Sequence, residues 1–220
     1  MSSPDLEIQD SLNRAGIPSE YSGILTKYIG VLLEINTKIN LTGAKSPWEV
    51  AAKHISDTFG AVQAMGRKGW PSEIWDIGSG GGIPGIPLAI FVPQIRVRLV
   101  ERRQKKGGAL KDLVKACGLS DRITVSIASF DALRPRENDI EHWFRGVLPG
   151  PKLIAYLSQN FLAEELGPIV LMKGPQWPLE LEAALDTADI SNSWRARFQM
   201  SEVSEYRLPE NLGTRYIVRL

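Results

Sequence analysis

The stretch Glu73-Ile74-Trp75-Asp76-Ile77-Gly78-Ser79-Gly80-Gly81-Gly82-Ile83-Pro84-Gly85 constrains the fold of this chain more than any other. A short apolar run ends at an acid and its following isoleucine, and five glycines crowd into the next eight residues. Ile86-Pro87-Leu88-Ala89-Ile90-Phe91 then reads as a helix, with proline tolerated in its first turn. The order is strand, tight loop, helix start, which brings backbone amides close to a bound ligand. Gly78, Gly80 and Gly82 leave no Cβ in the ligand's way, and Gly85 lets helix and strand approach closely. So much glycine costs conformational entropy on folding, which argues against a turn that holds nothing.

Two ligands fit the pattern. Gly80-x-Gly82-x-x-Gly85 formally matches the dinucleotide fingerprint, and an acid, Glu101, follows roughly 20 residues later, as a nicotinamide-dependent oxidoreductase requires. The register Asp76-x-Gly78-x-Gly80 resembles instead the first motif of the Rossmann-like methyltransferases that use S-adenosylmethionine (AdoMet). That resemblance implies a loop facing the methionine moiety, with Asp76 serving its amino group directly or through water. A carboxylate there suits an ammonium and would repel a pyrophosphate.

The rest of the composition is that of an ordinary globular chain, 43% hydrophobic with a net charge of +1. Contact with nucleic acid must therefore come from a local patch. A single cysteine, Cys117, excludes an intramolecular disulfide and a multi-cysteine metal site. Met1 to Gly16 has no long apolar core, so neither a signal peptide nor a membrane span is expected, and a cytoplasmic location is the default.

Residues 1–68 read as an N-terminal helical cap and residues 69–220 as the ligand-binding domain. Ile24, Tyr28, Leu32, Ile35 and Ile39 fall at helical spacing and predict a helix over 19–38, with Asn36 and Asn40 four apart at its end. Ser46-Pro47-Trp48-Glu49 is a capping box that starts a second helix, running to about Met65 and placing His54 and Asp57 on one face. Residues 66–72 read as the linker.

Beyond the glycine loop, Ile95 to Glu101 predicts a second strand, ending where Glu101 can accept both hydroxyls of a ribose. The helix predicted over 102–117 carries Arg102, Arg103, Lys105, Lys106, Lys111 and Lys115. Its first basic residues lie at the carboxyl end of the strand, where ligands bind in open α/β sheets. Arg122 to Ile127 is a third strand, followed by Ala128-Ser129-Phe130-Asp131. In AdoMet enzymes this corner meets the adenine, which makes Asp131, with the neighbouring Ser129 and Phe130, the candidates for its amine. Asp139 to Arg145 reads as too polar for a central parallel strand. Pro168 to Gly174 is a convincing buried strand, and a helix follows over 179–188. Arg195 to Met200 and Thr214 to Leu220 are expected to close the sheet as a partly antiparallel pair.

Several landmarks agree: Asn40-Leu41-Thr42, Lys53-His54-Ile55-x-Asp57, the run Asp76 to Leu88, Lys173-Gly174, and Arg215-Tyr216-Ile217-Val218. Together they resemble the RsmG family, also called glucose-inhibited division protein B, from about residue 25 to the end. The run Gly82-Ile83-Pro84-Gly85-Ile86-Pro87-Leu88 is the most specific part. The resemblance implies an α/β, Rossmann-like class I AdoMet-dependent methyltransferase sheet with an N-terminal helical extension. It further implies a bacterial enzyme methylating guanine N7 in 16S rRNA, alone or in the 30S subunit; a monomer with no metal is the separate expectation.

The cofactor-binding positions expected on this basis are His54, Asp76, Gly78, Ser79, Gly80, Gly82, Pro84, Gly85, Glu101, Arg102, Ser129, Phe130 and Asp131. Where the family carries Ser-Arg-Ala-Phe after the fourth strand, this chain has Phe144-Arg145-Gly146, and Ser129 stands where the family often has arginine. Arg145 and Lys173 are the expected catalytic pair, holding guanine O6 or flanking phosphates. Guanine N7 has a lone pair and no proton, so the reaction needs no general base. A binding module for AdoMet or RNA without catalysis is the alternative from another class.

Overall fold

Five short parallel strands carry the centre of the molecule: β1 (Glu73–Ile77), β2 (Arg96–Val100), β3 (Ile123–Ser126), β4 (Ile140–Arg145) and β5 (Ile169–Lys173). Two more, β6 (Glu202–Arg207) and β7 (Thr214–Arg219), complete a sheet of order β3-β2-β1-β4-β5-β7-β6. β7 lies antiparallel between β5 and β6. The computed structural model describes residues 3–66, 69–133, 140–185 and 190–220. Met1, the linker residues Arg67 and Lys68, Asp139, and positions 186–188 of the expected late helix lie outside the described residues.

Helices cover both faces, as a parallel sheet requires. The first set is α1 (Pro4–Arg14), α2 (Ser22–Asn36), α3 (Pro47–Val50), α4 (Ser56–Met65), α5 (Gly85–Phe91) and α6 (Gln104–Ala116). The second is α7 (Phe130–Leu133), α8 (Gly150–Asn160), α9 (Trp177–Leu185) and α10 (Asn192–Gln199). Side chains alternate across the strands. Ile74 joins the apolar cluster that also holds Leu12, Leu25, Tyr28 and Leu32, while Trp75 and Ile77 join the one under α8 and α10. The N-terminal helices thus share an apolar cluster with the sheet.

Two expectations are corrected. The polar segment before Gly146 is a central strand after all: β4 pairs with β1 on one side and β5 on the other. Of its polar groups Glu141 is paired locally, whereas neither ring nitrogen of His142 has a hydrogen-bond partner among the described residues. Glu141 accepts a hydrogen bond from Trp143 Nε1 at 2.7 Å and faces Arg219 at 3.9 Å. His142 is fully buried between Trp75 and Phe130, and burial pushes its pKa down to about 4, so it sits there neutral.

The strand expected over 195–200 is α10. Ser191 caps it by accepting from Trp194 N, and Trp194 and Phe198, four apart, bury one face. The strand that pairs with β7 begins at Glu202 instead. Ser46 caps the second helix as expected, accepting from Glu49 N, but the Glu49 carboxylate accepts from Lys45 N rather than closing the box on Ser46 N. Its helix, however, is interrupted by a π-turn over Ala51–Ile55, and irregularities of this kind cluster at functional sites.

Candidate active site

A cleft of about 570 Å³ opens at the carboxyl ends of β1, β2 and β4. Its walls come from Leu41–Gly43 and His54 on the N-terminal side, the loop Gly78–Gly81 and Val100–Arg103. Ala128–Asp131, Phe144–Leu148 and Tyr156 complete them.

The loop end is held by backbone. Gly78 N and Ser79 N both donate to Val100 O, at 2.8 and 3.2 Å. Gly80 has φ +55°, and a Cβ on it would lie 3.2 Å from Leu41 O, so the position requires glycine on two counts. From α2, the buried Tyr28 hydroxyl donates to Gly81 O at 2.8 Å and braces the loop from behind.

Four expected cofactor positions lie behind this loop rather than on the cleft wall: Asp76, Gly82, Pro84 and Gly85. Asp76 is 1% exposed, and its Oδ2 accepts from Gly85 N at 3.0 Å. Its Oδ1 has no hydrogen-bond partner among the described residues, and burial pushes its pKa up to about 7. A Cβ on Gly82 would strike Ile86 at 2.5 Å, and one on Gly85 would overlap Leu99 Cδ2. The second and third glycines of the formal dinucleotide fingerprint are therefore packing positions.

Glu101, just past β2, is 7% exposed and on the wall. Its Oε1 accepts from Arg103 N at 2.9 Å and its Oε2 lies 3.4 Å from Gly80 N, so the carboxylate is fixed at the lip of the loop. Arg102, Arg103 and Lys106 line the cleft from the start of α6, the two arginines exposed. Ser129, Phe130 and Asp131 form the next wall. Asp131 Oδ1 accepts from the Tyr156 hydroxyl at 2.8 Å, and burial pushes that phenol up to about 12.

At the opposite end the wall is a side-chain network. Arg145 Nε donates to Asp57 Oδ2 at 2.8 Å, and its Nη2 donates to Lys53 O at 2.8 Å. The same Nη2 lies 3.1 Å from His54 Nδ1. Burial, with Arg145 beside it, pushes the His54 pKa down to about 4. The neutral ring then accepts at Nδ1 and donates from Nε2 to Thr42 Oγ1, 2.8 Å away. The π-turn places the Lys53 carbonyl and His54 ring together at the guanidinium. Lys173, by contrast, is 11% exposed, bonded to Glu180 at 3.1 Å, and off the cleft wall. The expected catalytic pair is not brought together on one surface.

Thr42, Tyr28, Tyr156 and Tyr206 belong to this architecture and were not among the expected site residues. One signal pointed toward Thr42. Asn36 Oδ1 accepts from Leu41 N and Thr42 N while its Nδ2 donates to Thr42 O and Ala44 O, a fixed turn after a helix end.

The strand order, the glycine loop after β1 and the fixed acid after β2 define an AdoMet-dependent methyltransferase of the Rossmann-like class. The fold agrees with solved structures. The METTL16 methyltransferase domain superposes with a TM-score of 0.54 at 16% identity, covering 90% of this chain and 79% of that one. A variant of MtNAS in complex with S-adenosylmethionine gives 0.53 at 16% identity, covering 92% and 79%. More specifically, the chain belongs to the rRNA small subunit methyltransferase G family, which matches residues 22–206. Ribosomal RNA small subunit methyltransferase G of Solibacter usitatus is 32% identical over 88% of this chain and 87% of its own length. The protein of the same name from Synechococcus elongatus is 30% identical over 92% and 82%. Neither a nicotinamide oxidoreductase nor a binding module without catalysis is favoured by these matches.

Proposed function

We propose that this chain transfers the methyl group of AdoMet to N7 of a guanosine in the 16S rRNA of the small ribosomal subunit, acting in the cytoplasm as a monomer. The observation that carries the reading is the division of the cleft, with a backbone-lined, acid-fixed end and a guanidinium-lined end facing one space. AdoMet fits the first end. Gly80 leaves a cradle that a Cβ would fill, Glu101 offers a fixed carboxylate to a ribose diol, and Ala128–Asp131 offers backbone and Phe130 to an adenine. Ser79 stands on the same wall, while His54, expected beside the cofactor, stands at the other end with Arg145.

When bound, AdoMet supplies a methyl on a sulfonium, so the guanine N7 lone pair forms the new C–N bond as the C–S bond breaks. The protein's own residues position and shield. Arg145 is set to hold guanine O6 or a flanking phosphate, because Nη1 alone of its three nitrogens has no partner among the described residues. The exposed Arg102 and Arg103, with Lys105 and Lys106, track the RNA backbone at the rim. Lys173 reaches substrate only by leaving Glu180, so Arg145 is the principal residue of the pair. No described helix is long and apolar enough to cross a membrane.

The test is methylation with labelled AdoMet of 30S subunits and of protein-free 16S rRNA, each from cells lacking the modification, followed by nucleoside mass spectrometry. N7-methylguanosine in at least one substrate is expected. AdoMet binding with no methyl transferred to either would show a binding module, and a methyl on another atom would overturn the assignment of N7.

A further inference from the structure

We infer that Tyr206 and Asp57 form a positioning pair that holds the Arg145 guanidinium at the substrate end of the cleft; this rests on the reading of Arg145 above. Asp57 is 4% exposed and lies on α4. Its Oδ2 accepts from Arg145 Nε at 2.8 Å, and its Oδ1 accepts from the Tyr206 hydroxyl at 2.6 Å. Arg215 Nε stands 3.8 Å from the same Oδ1. Three strands, β4, β6 and β7, therefore bring side chains to one carboxylate on α4.

The contact is made possible by an absent side chain. A Cβ on Gly60 would lie 2.5 Å from Cδ2 and 2.8 Å from Cε2 of the Tyr206 ring. Gly60 sits inside α4, where glycine costs roughly 0.5–1 kcal/mol relative to alanine. That cost is offset by letting the ring cross the helix and reach Asp57. With both carboxylate oxygens engaged, Asp57 cannot swing toward Arg215, and Arg145 keeps one orientation at the cleft. Without the tyrosine hydroxyl, Oδ1 is left to Arg215, the carboxylate turns, and the Nε contact that orients the guanidinium is lost. The consequence is slower methyl transfer with unchanged cofactor binding, because Tyr206 does not line the cleft.

The experiment compares Tyr206→Phe, Gly60→Ala, Arg145→Lys, Arg145→Ala and the double variant Tyr206→Phe with Arg145→Lys. It reads kcat and KM on 30S subunits, the AdoMet Kd and thermal melting. Tyr206→Phe is expected to lower kcat on the order of 10- to 100-fold, the cost of a small misplacement of a positioning group, with the AdoMet Kd within about two-fold. Gly60→Ala keeps the hydroxyl but displaces the ring, so it should reproduce the kcat loss. The double variant should be no slower than Arg145→Lys alone, a non-additivity that a merely structural tyrosine would not produce. Wild-type kcat in Tyr206→Phe, or multiplied losses in the double variant, would overturn the pair. Full activity of Arg145→Ala would instead sink the reading of Arg145 itself.

Discussion

At the β1–β2 end of the cleft the wall is backbone, made of glycine conformations, two amides on Val100 O and one carboxylate pinned by Arg103 N. At the β4 end the wall is side chains, Thr42, His54 and Arg145, held from behind by Asp57 and Tyr206. The first end is built almost wholly within residues 76–103. The second joins residues 88 and 149 positions apart. A backbone wall fixes the shape of a constant ligand at little cost in buried charge. A charged network can orient a substrate that arrives from outside, but it must keep every member paired.

The sharpest way to break the first end is Gly80→Val. A branched residue at φ +55° is strained, and its Cβ meets Leu41 O at 3.2 Å. AdoMet binding should fall by more than about 100-fold while circular dichroism shows a folded protein, since opposing the strain and the clash together costs several kcal/mol. A folded variant with the parental Kd by calorimetry would remove the loop from the site.

Two buried groups, one on β1 and one on β4, also titrate in opposite senses. Asp76, behind the loop, has its folded pKa raised from 3.8 to about 7, so its contribution is complete below pH 3.8 and is lost as pH rises toward 7. His142 in β4 has its folded pKa lowered from 6.5 to about 4. The unfolded chain then binds the extra proton, and stability is lost as pH falls from 6.5 toward 4. Replacing His142 with Leu should remove about 3 kcal/mol of that acid loss by pH 4, as a shift of this size implies. Urea midpoints measured at pH 7 and pH 4 for parent and variant check it, and equal acid sensitivity would show that His142 is not held neutral.

Glu101→Gln should have the smallest effect of the three. It keeps the shape and both acceptor positions in part, but loses the charge that strengthens bonds to a ribose diol. AdoMet affinity should fall five- to thirty-fold, about 1–2 kcal/mol. An unchanged Kd would make Glu101 only a brace for Gly80 and Arg103.

The same contrast explains what was legible in the sequence. The loop, the second strand and Glu101 were readable because each signal is local, with glycine, strand and acid adjacent in the chain. The second task of Asp76 was not legible, because nothing in its neighbourhood announces that Gly85 N, nine residues on, donates to its Oδ2. β4 looked too polar because its compensations are side chains: Trp143 on Glu141, and an aromatic shell around a neutral His142. Around α10, Arg195 and Arg197 alternate with Ala196 and Phe198 as a strand would. The spacing of Trp194 and Phe198 decided for helix. Tyr206 carried no local signal at all, since only the fold brings it to Asp57.

The division of labour in the cleft is tested most directly by one paired measurement, the AdoMet Kd and the kcat on 30S subunits for Arg145→Ala beside Glu101→Gln. Arg145→Ala should leave the Kd within about two-fold and cut kcat on the order of 100-fold, because orientation alone is lost. Glu101→Gln should weaken the Kd and leave kcat at saturating AdoMet close to that of the parent. If both variants moved the Kd and kcat together, the two ends would act as one site, and a cleft divided between cofactor and substrate would be contradicted.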